Sequence, residues 1–435
     1  MKLLLISPAW QEPGTGRVSR FSFFPPLNLG ILAALTPLDV EVTLTDENVQ
    51  PIDFSLTPDL VGITCMTATA PRAYEIARRF RERGAKIVLG GIHPSSVPEE
   101  AARHADAVCV GEAEGYWREL VEDVRKGRLK PVYRSERPDP FTIPISRRDL
   151  FPEEGYLVRS TVQTTRGCPF SCDFCSVTNF FGHTYRCRKV GEVLEEISHI
   201  KDRIVAFVDD NIVGTPRRAK EFFKSLVPLK IRWFSQGSIT MAEDEELLGL
   251  AKESGCIGMF MGFESLSQEN LKAVGKKINL AERFERAIQK IHSFGIAIEG
   301  AFIYGLDEDD PSIFERTVAF ARRMKLEAVQ FGILTPLPGT GLFRKLQGEG
   351  RIFDRNWAHY DISRVVFKPK RMTAQELQDG YNWSYRNFYS LPSIFERLGV
   401  FRRDLGFLWK LNLAYRQYAR GLSPLGPEAE VAVEV

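Results

Sequence analysis

The sequence predicts an α/β protein with three parts: an N-terminal doubly wound parallel sheet of the flavodoxin or Rossmann type, a central partial (β/α)6 TIM-type barrel, and a C-terminal helical extension. Short apolar runs alternate with helical segments over residues 1–126 and again over residues 158–345. Strands that alternate with helices form parallel sheets with helices on their faces. Beyond residue 345 the strand-like runs give way to aromatic-rich helical segments.

The first region contains five predicted strands and three predicted helices. The strands are Lys2–Ile6, Val40–Thr45, Leu60–Thr64, Lys86–Leu89 and Ala107–Val110. The helices are Pro71–Arg83, Pro98–His104 and Tyr116–Lys126. Ligands of such sheets bind beyond the carboxyl ends of the strands. The candidate ligand-binding residues at those ends are Ser7, Thr64, Thr67, Gly90, Gly91, His93, Gly111 and Glu112.

Residues 127–157 are rich in proline, arginine and aspartate, which is typical of a linker on the surface. Six predicted strands follow: Thr161–Thr165, Ile204–Asp209, Ile231–Gln236, Gly258–Phe263, Ala297–Tyr304 and Ala328–Thr335. The predicted helices among them are Val190–Lys201, Arg217–Leu229, Asp244–Ser254, Gln268–Val274, Ala281–Phe294 and Pro311–Met324. Six strand–helix units favour a partial barrel over a complete barrel of eight.

The C-terminal region, residues 346–421, is predicted to be helical over Thr373–Leu391 and Ile394–Arg420, with a loose tail at 422–435. The second segment has six basic against two acidic residues, interleaved with aromatic residues. This pattern suits an amphipathic helix pair that covers the open side of the barrel. It also suits a face for peripheral membrane contact or a lipid-like substrate.

Composition excludes several classes of protein. Lys and Arg number 58 against 56 Asp and Glu, so no basic excess points to a nucleic-acid partner. No apolar run approaches the roughly 20 residues that cross a bilayer. Residues 1–8 are predicted to be a buried first strand and not a signal peptide. Seven cysteines are too few for a disulfide scaffold, so a reducing, cytoplasmic environment is expected.

Three cysteines lie in one loop directly after the predicted strand Thr161–Thr165. They are Cys168, Cys172 and Cys175, in the spacing C-x3-C-x2-C. Three such thiolates can hold three irons of a [4Fe–4S] cluster and leave the fourth iron for a non-protein ligand. A zinc site stays open as an alternative, because Cys187 or His183 could supply a fourth ligand.

The cysteine loop and the later strand ends together resemble the radical S-adenosylmethionine (SAM) enzymes. The matching segments are Asp209-Asp210-Asn211, Gln236, Gly262-Phe263-Glu264-Ser265, the run 299–306 and the run 335–340. The resemblance implies that SAM binds the fourth iron and that an external electron donor of the flavodoxin or ferredoxin type reduces the cluster. It also implies cofactor contacts by Phe174, Gln236, Glu264, Ser265, Lys277, Gly300 and Gly305.

Two residues of the fifth barrel strand are candidate catalytic residues. Glu299 lies in an apolar run, and a buried carboxylate is costly unless it is paired. We therefore expect it to face the barrel lumen, where it pairs with Arg232 or touches substrate. Tyr304 is the second candidate. Asp209 and Asp210, at an earlier strand end, either cap the next helix or bind a ligand.

The first region resembles the cobalamin-binding domain that precedes the barrel in one radical SAM subfamily. The matching stretches are 7–8, 24–30, Asp46, 61–64, 90–94 and 111–114. The motif Asp-x-His-x-x-Gly, whose histidine ligates cobalt from below, does not occur, so cobalamin is expected without a histidine lower ligand. The resemblance implies a C-methyltransferase acting on an unactivated carbon of a small-molecule or lipid-like substrate. A radical SAM oxidoreductase or cyclase without methyl transfer is the alternative.

Overall fold

Two parallel six-stranded sheets organise the chain, whose computed structural model describes residues 1–11, 22–134, 137, 143–399 and 405–425. The strands of the first sheet are β1 (Lys2–Ser7), β2 (Glu41–Asp46), β3 (Leu60–Thr64), β4 (Lys86–Gly90), β5 (Ala107–Val110) and β6 (Val132–Arg134). Its helices are α1 (Leu27–Leu35), α2 (Ala70–Arg81), α3 (Ile92–Ser96), α4 (Pro98–Ala101) and α5 (Trp117–Arg125). The strand order is β2-β1-β3-β4-β5-β6, so the chain reverses its winding between β1 and β3.

This sheet confirms the doubly wound prediction but contains three elements that the sequence did not predict: the helices α1 and α3 and the strand β6. Helix α1 has the sequence LNLGILAAL, which lacks the polar face that marks an amphipathic helix. Strand β6 pairs in parallel with β5 through Val132, Tyr133 and Arg134. The predicted linker at 127–157 is therefore wrong over these residues, which extend the sheet.

The second sheet is the predicted partial barrel, with the order β14-β13-β12-β11-β10-β7. The strands of this region are β7 (Thr161–Val162), β8 (Thr165–Arg166), β9 (Arg186–Cys187), β10 (Ile204–Phe207), β11 (Arg232–Gln236), β12 (Cys256–Glu264), β13 (Ala297–Tyr304) and β14 (Ala328–Ile333). The helices are α6 (Ser176–Phe181), α7 (Val190–Ser198), α8 (Pro216–Leu226), α9 (Glu245–Glu253), α10 (Gln268–Ala273), α11 (Phe284–Ser293), α12 (Ser312–Arg323) and α13 (Gly341–Gly348). The antiparallel pair β8–β9 lies outside the barrel sheet and frames the cysteine loop.

Side chains alternate between the barrel lumen and the helix layer along each long strand. On β13 every second residue, starting at Ile298, is buried, whereas the intervening residues are partly exposed. Tyr304 belongs to the buried set and packs against Phe314 and Phe331 beneath the helices. Glu299 belongs to the other set and faces the lumen.

Three helices cover one side of the barrel: α14 (Ala374–Phe388), α15 (Leu391–Leu398) and α16 (Leu405–Gly421). The Thr373 hydroxyl and the Glu376 carboxylate cap α14 reciprocally. The predicted helical segment Ile394–Arg420 is divided, because Gly399 ends α15 at a φ of 64°. Residues 400–404 lie outside the described part of the chain.

Two details of this region differ from the sequence-based expectation. Arg397, counted in the basic face, is only 2% exposed, and its guanidinium donates to the carbonyls of Leu326 and Glu327. Leu422 and Leu425, at the start of the predicted loose tail, pack against the barrel core. Residues 426–435 of that tail lie outside the described residues. Within the described part of the chain, no helix is both long and apolar enough to cross a membrane.

Candidate active site

The loop that carries the three cysteines is held from below by two aspartates. Asp209 Oδ1 accepts hydrogen bonds from the backbone N–H groups of Thr164 and Thr165, at 2.7 and 2.6 Å. Asp210 Oδ2 accepts from the N–H of Gly167 at 3.1 Å. Burial raises the pKa of Asp209 to about 6, against the opposing effect of these donors. Both aspartates therefore shape the approach to the cysteine loop and do not cap the following helix.

The donor set of the loop fits an iron–sulfur cluster. Cys168, Cys172 and Cys175 are all partly exposed, and Asn211 Nδ2 lies 3.9 Å from the sulfur of Cys168. Burial raises the pKa of the Cys172 thiol to about 11, while the nearby Lys276 ammonium lowers it. Bound metal supplies enough charge to deprotonate such a thiol.

The zinc alternative finds no support in this geometry. Among the described residues, no three His, Cys, Asp or Glu side chains converge as ligands of a single metal ion. His183 hydrogen-bonds Ser171 through Nδ1, and Cys187 lies on β9 opposite Thr165. A [4Fe–4S] cluster needs one thiolate at each of three irons, so its sulfurs do not have to surround one ion.

A buried ion pair lies beside the cysteine loop. Lys276 Nζ is 2.8 Å from Glu264 Oε1, and the two side chains are 17% and 9% exposed. Burial lowers the pKa of Lys276, but Glu264, Cys172 and Cys175 outweigh it and raise the pKa overall. Lys277, which the sequence suggested as the site lysine, is exposed. The ammonium that reaches this site therefore belongs to the neighbouring residue.

The backbone conformation around Glu264 orients its carboxylate toward Lys276. Glu264 adopts a φ of 68°, and the register between β12 and β13 shifts between Gly262 and Glu264. A non-glycine residue in this region is strained by roughly 1–3 kcal/mol. A Cβ on Gly262 would lie 2.2 Å from Glu264 Oε1, so Gly262 leaves room for the ion pair. Ser265 is buried next to it, and its hydroxyl accepts from the N–H of Ser267.

Two further predicted SAM contacts, Gly300 and Gly305, pack against protein side chains. A Cβ on Gly300 would meet Leu326 and Phe263 in the helix-side core, because Gly300 is adjacent to the lumen-facing Glu299 on an alternating strand. A Cβ on Gly305 would meet Leu377 of α14 at 2.8 Å. These two glycines make space for the packing of neighbouring side chains, and their contact with adenine remains a prediction.

Phe174 and Gln236 line two different cavities. Phe174 borders a space of about 320 Å³ behind the cysteine loop, together with Asp173, Leu306 and Leu342. Gln236 lines the barrel lumen. Their contact with a bound cofactor remains a prediction.

A cavity of about 580 Å³ lies at the carboxyl ends of the first sheet, where the winding reverses between β1 and β3. Its walls include six of the predicted residues: Ser7, Thr64, Gly90, Gly91, Gly111 and Glu112. Gly91 has a φ of 102°, and a Cβ there would lie 2.7 Å from the carbonyl oxygen of Cys65. Phe180 and Phe181 of α6 form the opposite wall. A glycine-lined floor and an aromatic wall fit a broad, flat cofactor such as cobalamin.

The other two predicted residues of this domain are not among those that line the cavity. His93 is fully buried, with Nε2 3.1 Å from the Tyr74 hydroxyl and its ring 5.3 Å from that of Trp357. Burial lowers the pKa of His93, against the effect of Glu100. Thr67 is buried in a short 3-10 turn. The proposed cofactor roles of His93 and Thr67 are therefore not supported, and no histidine occurs among the described residues that line the cavity.

A group of ion pairs joins the two sheets at this cavity. Arg166 of β8 contacts Glu112 and Glu114 of the first domain, and Arg186 of β9 also contacts Glu112. Arg166 and Glu112 are nearly inaccessible to solvent. Because Arg166 is two residues before Cys168, these contacts fix the cysteine loop relative to the first domain. Arg166 was not among the predicted site residues, although its place next to the cysteine motif was a usable signal.

The second large cavity, about 500 Å³, occupies the barrel lumen. Its wall is mainly apolar and includes Phe23, Phe24, Phe234, Phe260, Phe407 and Leu411. Glu299 lies in this wall, and the Tyr415 hydroxyl donates to its Oε1 at 2.5 Å. Tyr415 is therefore the hydrogen-bond partner of the carboxylate, for which the sequence had left Arg232 or a substrate as the alternatives. Tyr304 does not line the lumen, so its predicted catalytic role is not supported.

The two cavities adjoin. Phe24 and Val208 line both of them. Phe24 also lies with its ring centroid 6.0 Å from that of Phe234, inside the lumen. A group bound above the first sheet and a molecule bound in the barrel would thus meet across one shared wall.

Comparison with known proteins agrees with this architecture. A B12 binding domain model matches residues 17–121, and a Radical SAM superfamily model matches residues 162–321. The bacteriochlorophyllide d C-12(1)-methyltransferase of Chlorobaculum tepidum is 32% identical over 440 residues, covering 97% of this chain and 94% of that protein. This chain is a cobalamin-dependent radical SAM enzyme. Membership of this family identifies its cofactors as a [4Fe–4S] cluster, SAM and cobalamin.

Other relatives and solved structures similar to this radical SAM enzyme are named for different activities. The hopanoid C-2 methylase of Rhodopseudomonas palustris is 28% identical over 76% of this chain and 66% of that protein. Among solved structures, TsrM from Kitasatospora setae with cobalamin and a [4Fe–4S] cluster has a TM-score of 0.63 at 18% identity, covering 98% of this chain and 91% of that one. OxsB with aqua-cobalamin has a TM-score of 0.69 at 16% identity, covering 99% and 74%. These structural matches confirm the fold.

Proposed function

We propose that this enzyme transfers a methyl group to an unactivated carbon of a small apolar molecule bound in the barrel lumen. The observation that carries the proposal is the shared wall formed by Phe24 and Val208 between the two cavities. Methyl transfer requires the methyl carrier and the substrate carbon to come together, whereas a cobalamin with a purely structural role would not need this proximity. Several relatives are methyltransferases by name, which supports the same reaction.

The chain's own residues position the reactants and exclude water. Cys168, Cys172 and Cys175 would hold the cluster, and Glu264 with Lys276 offers opposite charges to the amino and carboxylate groups of SAM. When bound, the cluster with SAM supplies a 5′-deoxyadenosyl radical, and cobalamin supplies a transferable methyl group. The phenylalanines of the lumen exclude water, which protects a radical from side reactions.

Each turnover of the proposed reaction has a defined stoichiometry. One substrate, two SAM molecules and two electrons give the methylated product, S-adenosylhomocysteine, 5′-deoxyadenosine and methionine. The substrate loses one hydrogen atom, which ends in 5′-deoxyadenosine, and gains one methyl group from the second SAM. The two electrons require an external donor, so a flavodoxin or ferredoxin type of partner is part of the proposal.

Labelled SAM tests this function. Protein purified without oxygen and reconstituted with iron and sulfide would be incubated with a chemical reductant, SAM carrying a CD3 group, and bacteriochlorophyllide d as the first trial substrate. Mass spectrometry should show a product heavier by one CD3 group in place of one hydrogen, with 5′-deoxyadenosine formed in equal amount. Cys172→Ser should form neither. Product that loses hydrogen without gaining label would rule out methyl transfer.

A second candidate function is radical chemistry without methyl transfer. The anaerobic magnesium-protoporphyrin IX monomethyl ester cyclase of Rubrivivax gelatinosus is 29% identical over 80% of this chain and 68% of that protein. The same labelling experiment distinguishes the two functions. Hydrogen loss with 5′-deoxyadenosine and no transferred label is the result that a cyclase gives.

The C-terminal helices favour a covering role over peripheral membrane contact. Leu408, Leu411 and Tyr415 of α16 line the lumen, and Arg397 of α15 is buried. These three residues of α16 are thereby used inside the molecule, whereas Leu413 of the same helix is exposed. We therefore propose that α16 closes the substrate cavity.

A further inference from the structure

Glu299 is a lumen-lining carboxylate near the amino end of β13. In the strand register Gln236 of β11 pairs with Phe260 of β12, which pairs with Glu299 of β13. Four residues separate Phe260 from Glu264, which places the level of Glu299 about 13 Å along the strand from the Glu264–Lys276 pair. A substrate in the lumen would therefore meet Glu299 at one end while its other parts reach toward the reacting groups.

The two oxygens of Glu299 have different surroundings. Oε1 accepts a hydrogen bond from the Tyr415 hydroxyl at 2.5 Å. The Tyr415 ring stacks on Tyr389, with centroids 4.9 Å apart and 21° between the planes, so the hydroxyl is held in place. Glu299 itself lines the cavity. Oε1 is thus held by the hydrogen bond from Tyr415, and the carboxyl group is accessible to a molecule bound in the lumen.

The wall around this carboxyl group is mainly apolar or aromatic, and its polar members include Gln236, Gln330 and Lys252. The titratable groups that act on it are the hydroxyls of Tyr385, Tyr389 and Tyr415. Burial raises the pKa of Glu299, while the hydrogen bond from Tyr415 lowers it. A buried carboxyl group beside a cavity gains most from a ligand that donates a hydrogen bond or carries a positive charge.

We propose that Glu299, oriented by Tyr415, determines substrate specificity by accepting a hydrogen bond from a hydroxyl or amino group on an otherwise apolar substrate. The inference rests on the proposed function only in taking the lumen as the substrate site. The substrate class is then an apolar molecule that fits about 500 Å³ and carries a donor at one end. A substrate with a carboxylate at that end would be rejected, because two carboxylates would face each other without a bridging cation.

Three fluorescent probes with one ring system test the inference by direct binding: 1-pyrenemethylamine, 1-pyrenemethanol and 1-pyrenecarboxylate. Their emission reports transfer into an apolar site and needs neither turnover nor cofactors. The amine and the alcohol should bind wild-type enzyme about tenfold or more tightly than the carboxylate. Equal affinities, a preference for the carboxylate, or no binding of any probe would overturn the inference.

Matched variants assign the preference to the two residues. In Glu299→Gln the amine should lose its advantage over the carboxylate, while Glu282→Gln, on the surface, should keep it. Tyr415→Phe retains the ring, so the pH at which the amine preference develops should rise because the carboxylate loses its donor. An unchanged probe order in Glu299→Gln, or an unchanged pH profile in Tyr415→Phe, would overturn the assignment. Failure of CD3 transfer would overturn the methyltransferase function and leave these binding results intact.

Discussion

The Glu264–Lys276 pair combines a strained backbone, a buried carboxylate and an ammonium beside two cluster cysteines. Each feature alone has a structural explanation. Together they place two opposite charges 2.8 Å apart, next to the cysteines that would hold the cluster. A zwitterionic amino acid is the kind of ligand that such a pair can receive, with each charge exchanging its protein partner for one on the ligand.

Replacing Lys276 tests this pairing at the level of one residue. Lys276→Met leaves Glu264 without its ammonium partner, which costs about 1–3 kcal/mol for a buried group. We expect weaker SAM binding and a lower melting midpoint, measured by equilibrium dialysis and by circular dichroism. Lys277→Met, one position along and exposed, is the control. A larger loss of SAM binding in the Lys277 variant would restore the original assignment.

The orientation of His93 gives a second residue-level prediction. His93→Gln should retain cobalamin, because His93 points toward Tyr74 and Trp357 and not into the cavity. Gly91→Ala should lose it, because the new Cβ would collide with the backbone of Cys65. Corrinoid absorbance after gel filtration, normalised to protein, measures both variants. Equal corrinoid loss in the two would show that His93 contributes to binding.

The cysteine cluster and Glu264 could be predicted because each lies in a short motif at a strand end. Lys276 could not be distinguished from Lys277, since no motif states which of two adjacent lysines turns inward. Tyr415 is 116 residues from Glu299. Its role depends on how α16 lies across the barrel, and no local pattern in the sequence carries that information.

Alternation along β13 explains at the level of one element why the predicted residues of this strand do not all face the lumen. Gly300 is one position after Glu299 along the strand and Tyr304 is five positions after it, so both differences in residue number are odd. Residues at odd separation on a strand point to opposite faces. The three could therefore never share the lumen, and the expectation that Glu299 faces it already implied that Gly300 and Tyr304 do not. This correction was available from the sequence.

The β8–β9 ribbon links the cysteine loop to the first domain through Arg166. Arg166→Met removes the ion-pair contact of Glu114 with Arg166 and one of the ion pairs of Glu112, which keeps its contact with Arg186. Breaking a buried ion pair from one side costs about 3–5 kcal/mol. We expect a lower melting midpoint together with faster loss of corrinoid during gel filtration.

The surface residue Arg217 on α8 provides the control for that experiment. Arg217→Met changes the same side chain where it is exposed to solvent. It should match the wild-type protein in both measurements. If Arg166→Met also matches, the ion pairs do not hold the two domains in register.

The two sheets and the helical cover were predictable for the whole molecule because periodicity repeats over many residues. The contacts between them were not, since Arg166–Glu112 and Trp357–Glu100 join side chains that are far apart in the sequence. Asp307 is another such junction. It lies within 3 Å of Lys345, Lys370 and Arg351, which ties the barrel to the C-terminal region.

Acid should weaken this junction. Burial raises the pKa of Asp307, but Lys345, Lys370 and Arg351 outweigh it and lower the pKa overall. A lowered carboxyl pKa stabilises the fold above the unfolded value of about 4, and that stability is lost as pH falls. Asp307→Asn should therefore melt earlier than wild type at pH 7, and the difference should shrink below pH ~4.

The exposed Glu315 on α12 supplies the comparison for this pH series. Glu315→Gln should leave the melting midpoint unchanged throughout, since the side chain is exposed. A wild-type advantage over Asp307→Asn that stays constant from pH 7 to pH 3.5, or grows toward acid, would contradict the assignment to the carboxylate charge.

The wall that Phe24 contributes to both cavities also constrains how the substrate range of this enzyme can change. A substitution there alters the cofactor chamber and the substrate chamber at once. Phe407 and Phe260 border only the substrate side of the described cavities. Evolution or engineering toward new substrates should therefore change Phe407 and Phe260 and leave Phe24 constant. Among variants of this chain with altered substrate range, substitutions should be frequent at the two positions that border only the substrate cavity and rare at the position shared by both cavities.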